Sequence, residues 1–421
     1  MSTAGARRRP TSGAGRLLEL IRTGQAGTRL GLTRESGLAR ATVNDRLELL
    51  LAARLIRGNG NAASTGGRRP ASYAFDRAVG VVLVAELGSS EARLAACDLG
   101  ASVLALERHV IDIRRGPEPT LALVRERLPA VLAETGRSAS DVVGVTVGVP
   151  GPVRVSTGTV LVPPIMTGWH GVDIPTALRL PMAAPILADN DVNLMALGEH
   201  RVILAAEEHI LLVKVGTGVG SGIISAGHLH RGAQGAAGDI GHIPVAGVDE
   251  PCVCGRRGCV EAKAGGWALA RDLRALGHDV ETSADVLGLI HAREPDAMRL
   301  LAEAGKILGV AVADTVSVLN PSTVVIGGDI AGAHEDLLAH VREVVYTRAL
   351  PLVTRSLRIV PSELRERAGV VGGAYRAIEH RLHPAALDRE LERRLDGDAP
   401  LHAWSHASAP PARGEDAQPP P

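Results

Sequence analysis

Residues 213–261 decide how the rest of the chain is read: they contain VKVGTGVGSGI (213–223), GAAGDIGH (235–242) and CVCGRRGCVE (252–261). The last stretch spaces Cys252, Cys254 and Cys259 as C-x-C-x4-C, with His242 ten residues before the first of them. Three thiolates and one imidazole make a closed tetrahedral zinc set, structural because no coordination position is left for water. Gly255 and Gly258 let the loop wrap tightly. Free thiols are the weaker alternative, since three of the four Cys in the chain fall within eight residues. So few cysteines do not make a disulfide scaffold. Cys97 lies in a β-rich run and reads as a buried apolar residue.

Upstream of the cysteines, the apolar run Ile210–Val215 leads into Gly216-Thr217-Gly218-Val219-Gly220-Ser221-Gly222. A strand–glycine turn–strand of this kind can present backbone N–H groups to phosphate; a plain tight hairpin reads the same way. Further out, Asp189-Asn190-Asp191-Val192-Asn193 follows the apolar run 185–188. Polar residues at the carboxyl end of a strand commonly line a crevice in α/β folds. Asp191 is a candidate general base for a hydroxyl, or else the N-cap of a helix over 192–200. Thr323–Ile326 ends in Gly327-Gly328 and follows a helix expected from about Ala297 to Leu319. That turn either admits a flat base or simply reverses the chain.

Towards the amino end, the runs 81–87, 91–99 and 101–110 read as an antiparallel meander. From Val81 onward strands and helices alternate, as in an α/β domain. The final clear helix passes through Tyr375 to about Arg381. Beyond it, residues 383–421 end in Gln418-Pro-Pro-Pro and are expected to form a disordered Pro/Ala-rich tail.

The formal net charge is zero, from 46 Lys+Arg and 46 Asp+Glu, but it is unevenly spread. Residues 1–79 hold 14 Arg, no Lys and five acidic residues, a net +9. A basic head on an acidic body points to a polyanion. After a basic arm expected to be disordered (1–13), Leu17, Leu18, Leu20 and Ile21 give one apolar helix face. A second helix is expected from Thr28 to Ser36, capped by Thr28. Gly37 makes the turn, and Val43, Leu47 and Leu50 form the buried stripe of a third helix. Its other face presents Arg40, Ala41, Thr42, Asn44 and Asp45, small and polar residues suited to approach base edges. A wing would follow, with Arg68 and Arg69 at a Gly-rich tip that can enter a minor groove. The recognition helix lacks a Ser or Thr cap, because position 39 is Ala. No run of 18 apolar residues suggests a membrane span and no apolar segment suggests a signal peptide, so a cytoplasmic location is expected.

Together these segments resemble the ROK family of bacterial repressors and sugar kinases over roughly residues 14–380. VGVPGPV (147–153), ADNDVN (188–193) and NPSTVVIGG (320–328) add to the three stretches quoted first. The resemblance implies a winged helix-turn-helix over 14–78 and an α/β actin/hexokinase-like, duplicated ribonuclease-H-like domain over 79–382, with its zinc loop at 242–261. It implies a sugar site made by Asn190, Asp191, Asp239, His242 and Glu261, with Asp191 catalytic only if the chain is a kinase. Gly216, Thr217, Gly218, Gly220, Gly327 and Gly328 would be the phosphate and nucleotide loops. Asp239 stands where the family usually has Glu. Family kinases carry DxGxT in the first phosphate loop; here the run is Glu86-Leu87-Gly88-Ser89-Ser90-Glu91. The Asp and Thr are replaced, and Glu91 adds a carboxylate that repels phosphate, so weak or no ATP/Mg-dependent kinase activity is expected. The expectation is therefore a sugar-sensing repressor of carbohydrate genes, binding operator DNA as a homodimer or homotetramer. The alternative is a glucose-type sugar kinase with an accessory DNA-binding head.

Overall fold

The structure, a computed structural model, describes residues 11–61, 71–330 and 334–397. The head opens with α1 (Ala14–Arg22), α2 (Arg29–Ser36) and α3 (Arg40–Ala52), followed by an antiparallel hairpin of β1 (Ile56–Asn61) and β2 (Ala71–Phe75). Leu17, Leu18 and Leu20 of α1 pack with Leu32, Val43, Leu47 and Leu50 in one apolar core. The Thr28 hydroxyl accepts the Gly31 N–H at 3.2 Å, as an N-cap should. Gly37 ends α2 with φ +70°, a value that favours glycine. Ala39 is extended and offers α3 no side-chain cap. The wing tip with Arg68 and Arg69 lies outside the described residues.

The body is built twice over. Its first lobe holds β3 (Val81–Leu87), β4 (Glu91–Asp98), β5 (Val103–Val110), α4 (Pro117–Glu134), β6 (Val142–Val149), the small hairpin β7 (Val153–Arg154) and β8 (Thr159–Val160), α5 (Ile174–Leu178) and β9 (Ile186–Asn190). The helix α6 (Asp191–Val202) crosses to the second lobe, with β10 (Ile210–Val215), β11 (Val219–Ser225) and β12 (His228–His230). Then come α7 (Glu261–Ala264), α8 (Gly266–Ala275), α9 (Ser283–His291), α10 (Pro295–Leu319), β13 (Thr323–Gly327), α11 (His334–Arg348), α12 (Pro351–Thr354) and β14 (Arg358–Pro361). The sheet orders are β5-β4-β3-β6-β9 and β12-β11-β10-β13-β14. In each, three strands form an antiparallel meander and the next two add in parallel. The same topology in both lobes is the duplication that the resemblance implied.

The central strands β3 and β6 are buried along their whole length, as strands covered on both faces should be. Between the sheets, α6 crosses α13 (Ala368–Arg381) at Gly198 and Gly372. A Cβ on Gly372 would sit 1.7 Å from the Leu194 carbonyl oxygen, and one on Gly198 2.3 Å from that of Ala368. Backbone meets backbone here, so neither position can carry a side chain without parting the two helices.

The chain departs from expectation after His383. Residues expected to begin a disordered tail form α14 (Pro384–Leu395), which packs on α1 of the head. Leu387 and Leu391 are buried in the core shared with the head. The Asp388 carboxylate accepts the backbone N–H groups of Gly13 at 2.9 Å and Gly15 at 2.8 Å. It supplies the cap that α1 lacks locally, and its charge suits the positive end of a helix. The amino arm is likewise ordered sooner than expected: Thr11 is buried, and the Ser12 carbonyl accepts from Arg46 at 3.0 Å. Among the described residues, no helix is long and apolar enough to cross a membrane.

Candidate functional site in the interlobe cleft

A cleft of about 650 Å³ opens between the lobes. Asn190, Asp191, Asp239, His242 and Glu261 all line it, as do Thr217, Gly218, Gly220, Gly327 and Gly328. Gly216 sits just behind, its carbonyl accepting the Gly266 N–H at 2.8 Å. The sequence places these residues far apart; β9, the β10–β11 turn, the 235–242 segment and the start of α7 bring them together.

At the first-lobe wall, the N-cap of α6 is Asn190 and not Asp191. Its side-chain oxygen accepts the N–H groups of Val192 at 3.0 Å and Asn193 at 3.1 Å, and its amide nitrogen donates to the Gly151 carbonyl. That leaves an Asp191 carboxylate oxygen free to face the cleft, where it lies 2.5 Å from the Lys214 ammonium. Burial works against the charge on Lys214, but Asp191, with Glu86 and Asp329 nearby, outweighs it and holds the ammonium above the ordinary lysine range. Behind the wall, Asp189 is fully buried and bonded twice by Arg231, at 2.6 and 3.1 Å.

The glycine turn does not stand open. The Val219 N–H donates to Glu261 at 2.9 Å, and the same carboxylate accepts from the Trp267 indole at 3.2 Å. The Ser89 hydroxyl donates to the Thr217 hydroxyl at 2.8 Å, joining the β3–β4 turn of one lobe to the β10–β11 turn of the other. Gly328 takes φ +96°, and a Cβ there would come within 2.5 Å of the Val215 carbonyl oxygen. Tight packing alone accounts for that glycine. Glu86 is buried, and desolvation pushes its carboxyl up to about 7 although Arg93 opposes the shift. Glu91 is paired with Arg93 at 2.7 Å.

Beside the cleft, His242, Cys252, Cys254 and Cys259 put their ligand atoms within 4.8 Å of one another. The Cys252 sulfur lies 3.6 Å from His242 Nδ1, and those of Cys254 and Cys259 lie 3.7 Å apart. A disulfide needs about 2 Å. A tetrahedron with metal–sulfur bonds of about 2.3 Å has edges of about 3.8 Å. The four groups therefore fit a metal ion. The other imidazole nitrogen of His242 points to the Asp239 side, 4.0 Å from its carboxylate. Cys97, as expected, is buried in a strand, and desolvation pushes its thiol up to about 12.

On the head, Arg40, Ala41, Asn44 and Asp45 are exposed along one side of α3 and Thr42 is half-buried beside them. Sequence reasoning missed Lys214, Arg231 and Ser89. The one available signal was a lysine inside the otherwise apolar strand ILLVKV.

Fold and site together define a two-lobed, sugar-kinase-like body carrying a helical head of helix-turn-helix type. The chain belongs to the ROK family, which it matches over residues 82–380. It is 27% identical to the xylose repressor of Bacillus spizizenii over 366 residues, covering 86% of this chain and 94% of that one. It is 28% identical to the DNA-binding transcriptional dual regulator NagC of Escherichia coli over 384 residues, covering 86% of this chain and 91% of that one. In structure it resembles a ROK family transcriptional regulator, a homologue of the E. coli MLC protein, with a TM-score of 0.76 at 23% identity, over 91% of this chain and 99% of the other.

Proposed function

We propose that this protein is a ROK-type transcriptional repressor of carbohydrate genes, whose head binds operator DNA and whose cleft binds a sugar. The observation that carries this reading is the span of its likeness to two transcriptional regulators, one of them a xylose repressor. That span exceeds the family segment 82–380 and takes in residues outside the kinase-like body.

In this reading Arg40, Ala41, Thr42, Asn44 and Asp45 face the major groove, and Arg68 and Arg69 enter the minor groove. Asn190, Asp191, Asp239, His242 and Glu261 hold the sugar. Zinc bound by His242, Cys252, Cys254 and Cys259 supplies no chemistry; it fixes the loop that carries the cleft-facing side of His242. Sugar at Asn190 and Asp191 presses on the start of α6, which is locked to α13, which runs on into α14 and so reaches the head. Closure of the cleft then changes head orientation, and in a dimer or tetramer it changes the fit to two half-sites.

Phosphoryl transfer is disfavoured, because Asp191 is already paired with Lys214 and the 86–91 turn brings the carboxylate of Glu91 to the first phosphate loop. The test is fluorescence anisotropy on the DNA upstream of the protein's own gene, with and without sugars. Sequence-specific binding modulated by a sugar is expected. Binding no stronger than to random DNA at low salt, under every condition, would sink the reading.

A further inference from the structure

The phosphoryl side of the cleft is filled by the protein's own groups. Lys214 reaches in from β10 and pairs with Asp191 across the cleft at 2.5 Å. Glu86 and Asp329 stand close enough to stabilise its charge. The N–H of Val219, on the glycine turn, is taken by Glu261, and the Thr217 hydroxyl is held by Ser89. Lys214 and the Val219 N–H, which would otherwise cradle a phosphate, thus have carboxylate partners, while the Thr217 hydroxyl accepts from Ser89 and keeps its own O–H.

We propose that Lys214 is the specificity-determining residue of this cleft, a resident cation paired with Asp191, so that the site takes an uncharged monosaccharide and rejects nucleotides and phosphorylated sugars. The proposal rests on reading the cleft as a sugar site. An ammonium has three N–H donors and Asp191 uses one. A sugar hydroxyl can accept from a second and donate to the neighbouring carboxylates, so both its lone pair and its proton are satisfied without displacing the ion pair. A phosphate has no proton to give those carboxylates. To reach Lys214 it must compete with Asp191 while lying among Asp329 and Glu261, where like charges repel in a poorly solvated space. Arg93 offers no relief, because Glu91 holds it at 2.7 Å and Glu86 lies 3.7 Å away. The remaining arginines of the lining, Arg365 and Arg367, are exposed at the rim.

The experiment uses the full chain in thermal-shift and calorimetric titrations. The probes are glucose, xylose and N-acetylglucosamine, glucose 6-phosphate, xylose 5-phosphate and N-acetylglucosamine 6-phosphate, and AMPPNP with Mg2+. The expected result is binding of at least one uncharged sugar, at least 100-fold weaker binding of its phosphorylated counterpart, and no response to the nucleotide. Lys214→Ala is expected to weaken the uncharged sugar at least 10-fold. It should also bind Mn2+, read by electron paramagnetic resonance, through the carboxylates left without their cation, whereas the wild type does not. A phosphorylated sugar or AMPPNP that binds the wild type as tightly as the uncharged sugar overturns the proposal and leaves the sugar-sensing reading standing. If sugars of neither kind bind or alter DNA affinity, the proposal falls together with that reading. The wild-type panel decides the matter even if Lys214→Ala does not fold.

Discussion

Arg231 donates two hydrogen bonds to Asp189 Oδ2, while Arg376 Nε lies 3.6 Å from that same oxygen. Arg231 belongs to the segment that leads on to Asp239 and His242; Arg376 belongs to α13. A single buried carboxylate therefore sits between the cleft-lining segment and the helix that runs towards the head. Removing it as Asp189→Ala strands two guanidinium groups, and the expected cost is about 3–5 kcal/mol. Arg231→Ala should cost less, about 1.5–3 kcal/mol, because Arg376 remains to neutralise Asp189. Urea denaturation of both variants ranks them, and the reverse order would refute this account.

Glu86 gives the fold a pH dependence of definite sign. Its carboxyl titrates near 7 in the folded chain against an ordinary value of 4.5, chiefly through burial. The folded state therefore holds a proton that the unfolded state releases at lower pH. The stabilisation is fully present below about pH 4.5 and is lost as pH rises through 7, with an upper bound of about 3 kcal/mol. Glu86→Gln should match the wild type at pH 5 and exceed its melting temperature at pH 8. Equal melting temperatures at pH 8 would show that Glu86 is not desolvated as the structure places it.

The Cys/His cluster predicts a protection pattern. With metal bound, trypsin should leave Arg256 and Arg257 uncut. After removal of the metal by a chelator, or in Cys259→Ser, cleavage there should be rapid, because the loop has few apolar contacts of its own. Elemental analysis should find one zinc per chain in the wild type and none in Cys259→Ser.

The docking of α14 is testable without reference to ligand. Leu391→Ala removes a fully buried side chain from the head–body core and should cost about 2–5 kcal/mol. Asp388→Ala removes the acceptor of two N–H groups and should cost about 1–2 kcal/mol. Hydrogen exchange should speed up in α1 in both variants and stay unchanged in β3 and β6.

What the sequence disclosed was local. Strand runs, the Gly37 turn and the spacing of the three cysteines involve only near neighbours along the chain, so each is legible in the residues themselves. In the cleft, Asn190, Asp191 and the glycines at 216–220 and 327–328 were legible because they sit at the ends of such runs, whereas Asp239, His242 and Glu261 were placed in the sugar site by the family resemblance. The pairing of Lys214 with Asp191 was not, since it joins a strand of one lobe to a helix start in the other. The choice between Asn190 and Asp191 as cap turned on one residue of register, and both types cap well. The twelve-residue α14 escaped notice because half of its residues are charged and its apolar stripe is narrow, Leu387, Leu391 and Leu395, of which only the first two are buried. Its helix is stabilised by what it docks against.

That last helix also sets an order of events during synthesis. The head is translated first, yet the residue that caps it, Asp388, lies 375 positions beyond Gly13. Chains fold as they emerge, amino-terminal units ahead of later ones. The head thus leaves the ribosome with an uncapped first helix, and completes its packing only when nearly the whole body has been made. A nascent or truncated chain would carry a head of different stability from the finished protein, so the state of the head reports on whether the body has been built.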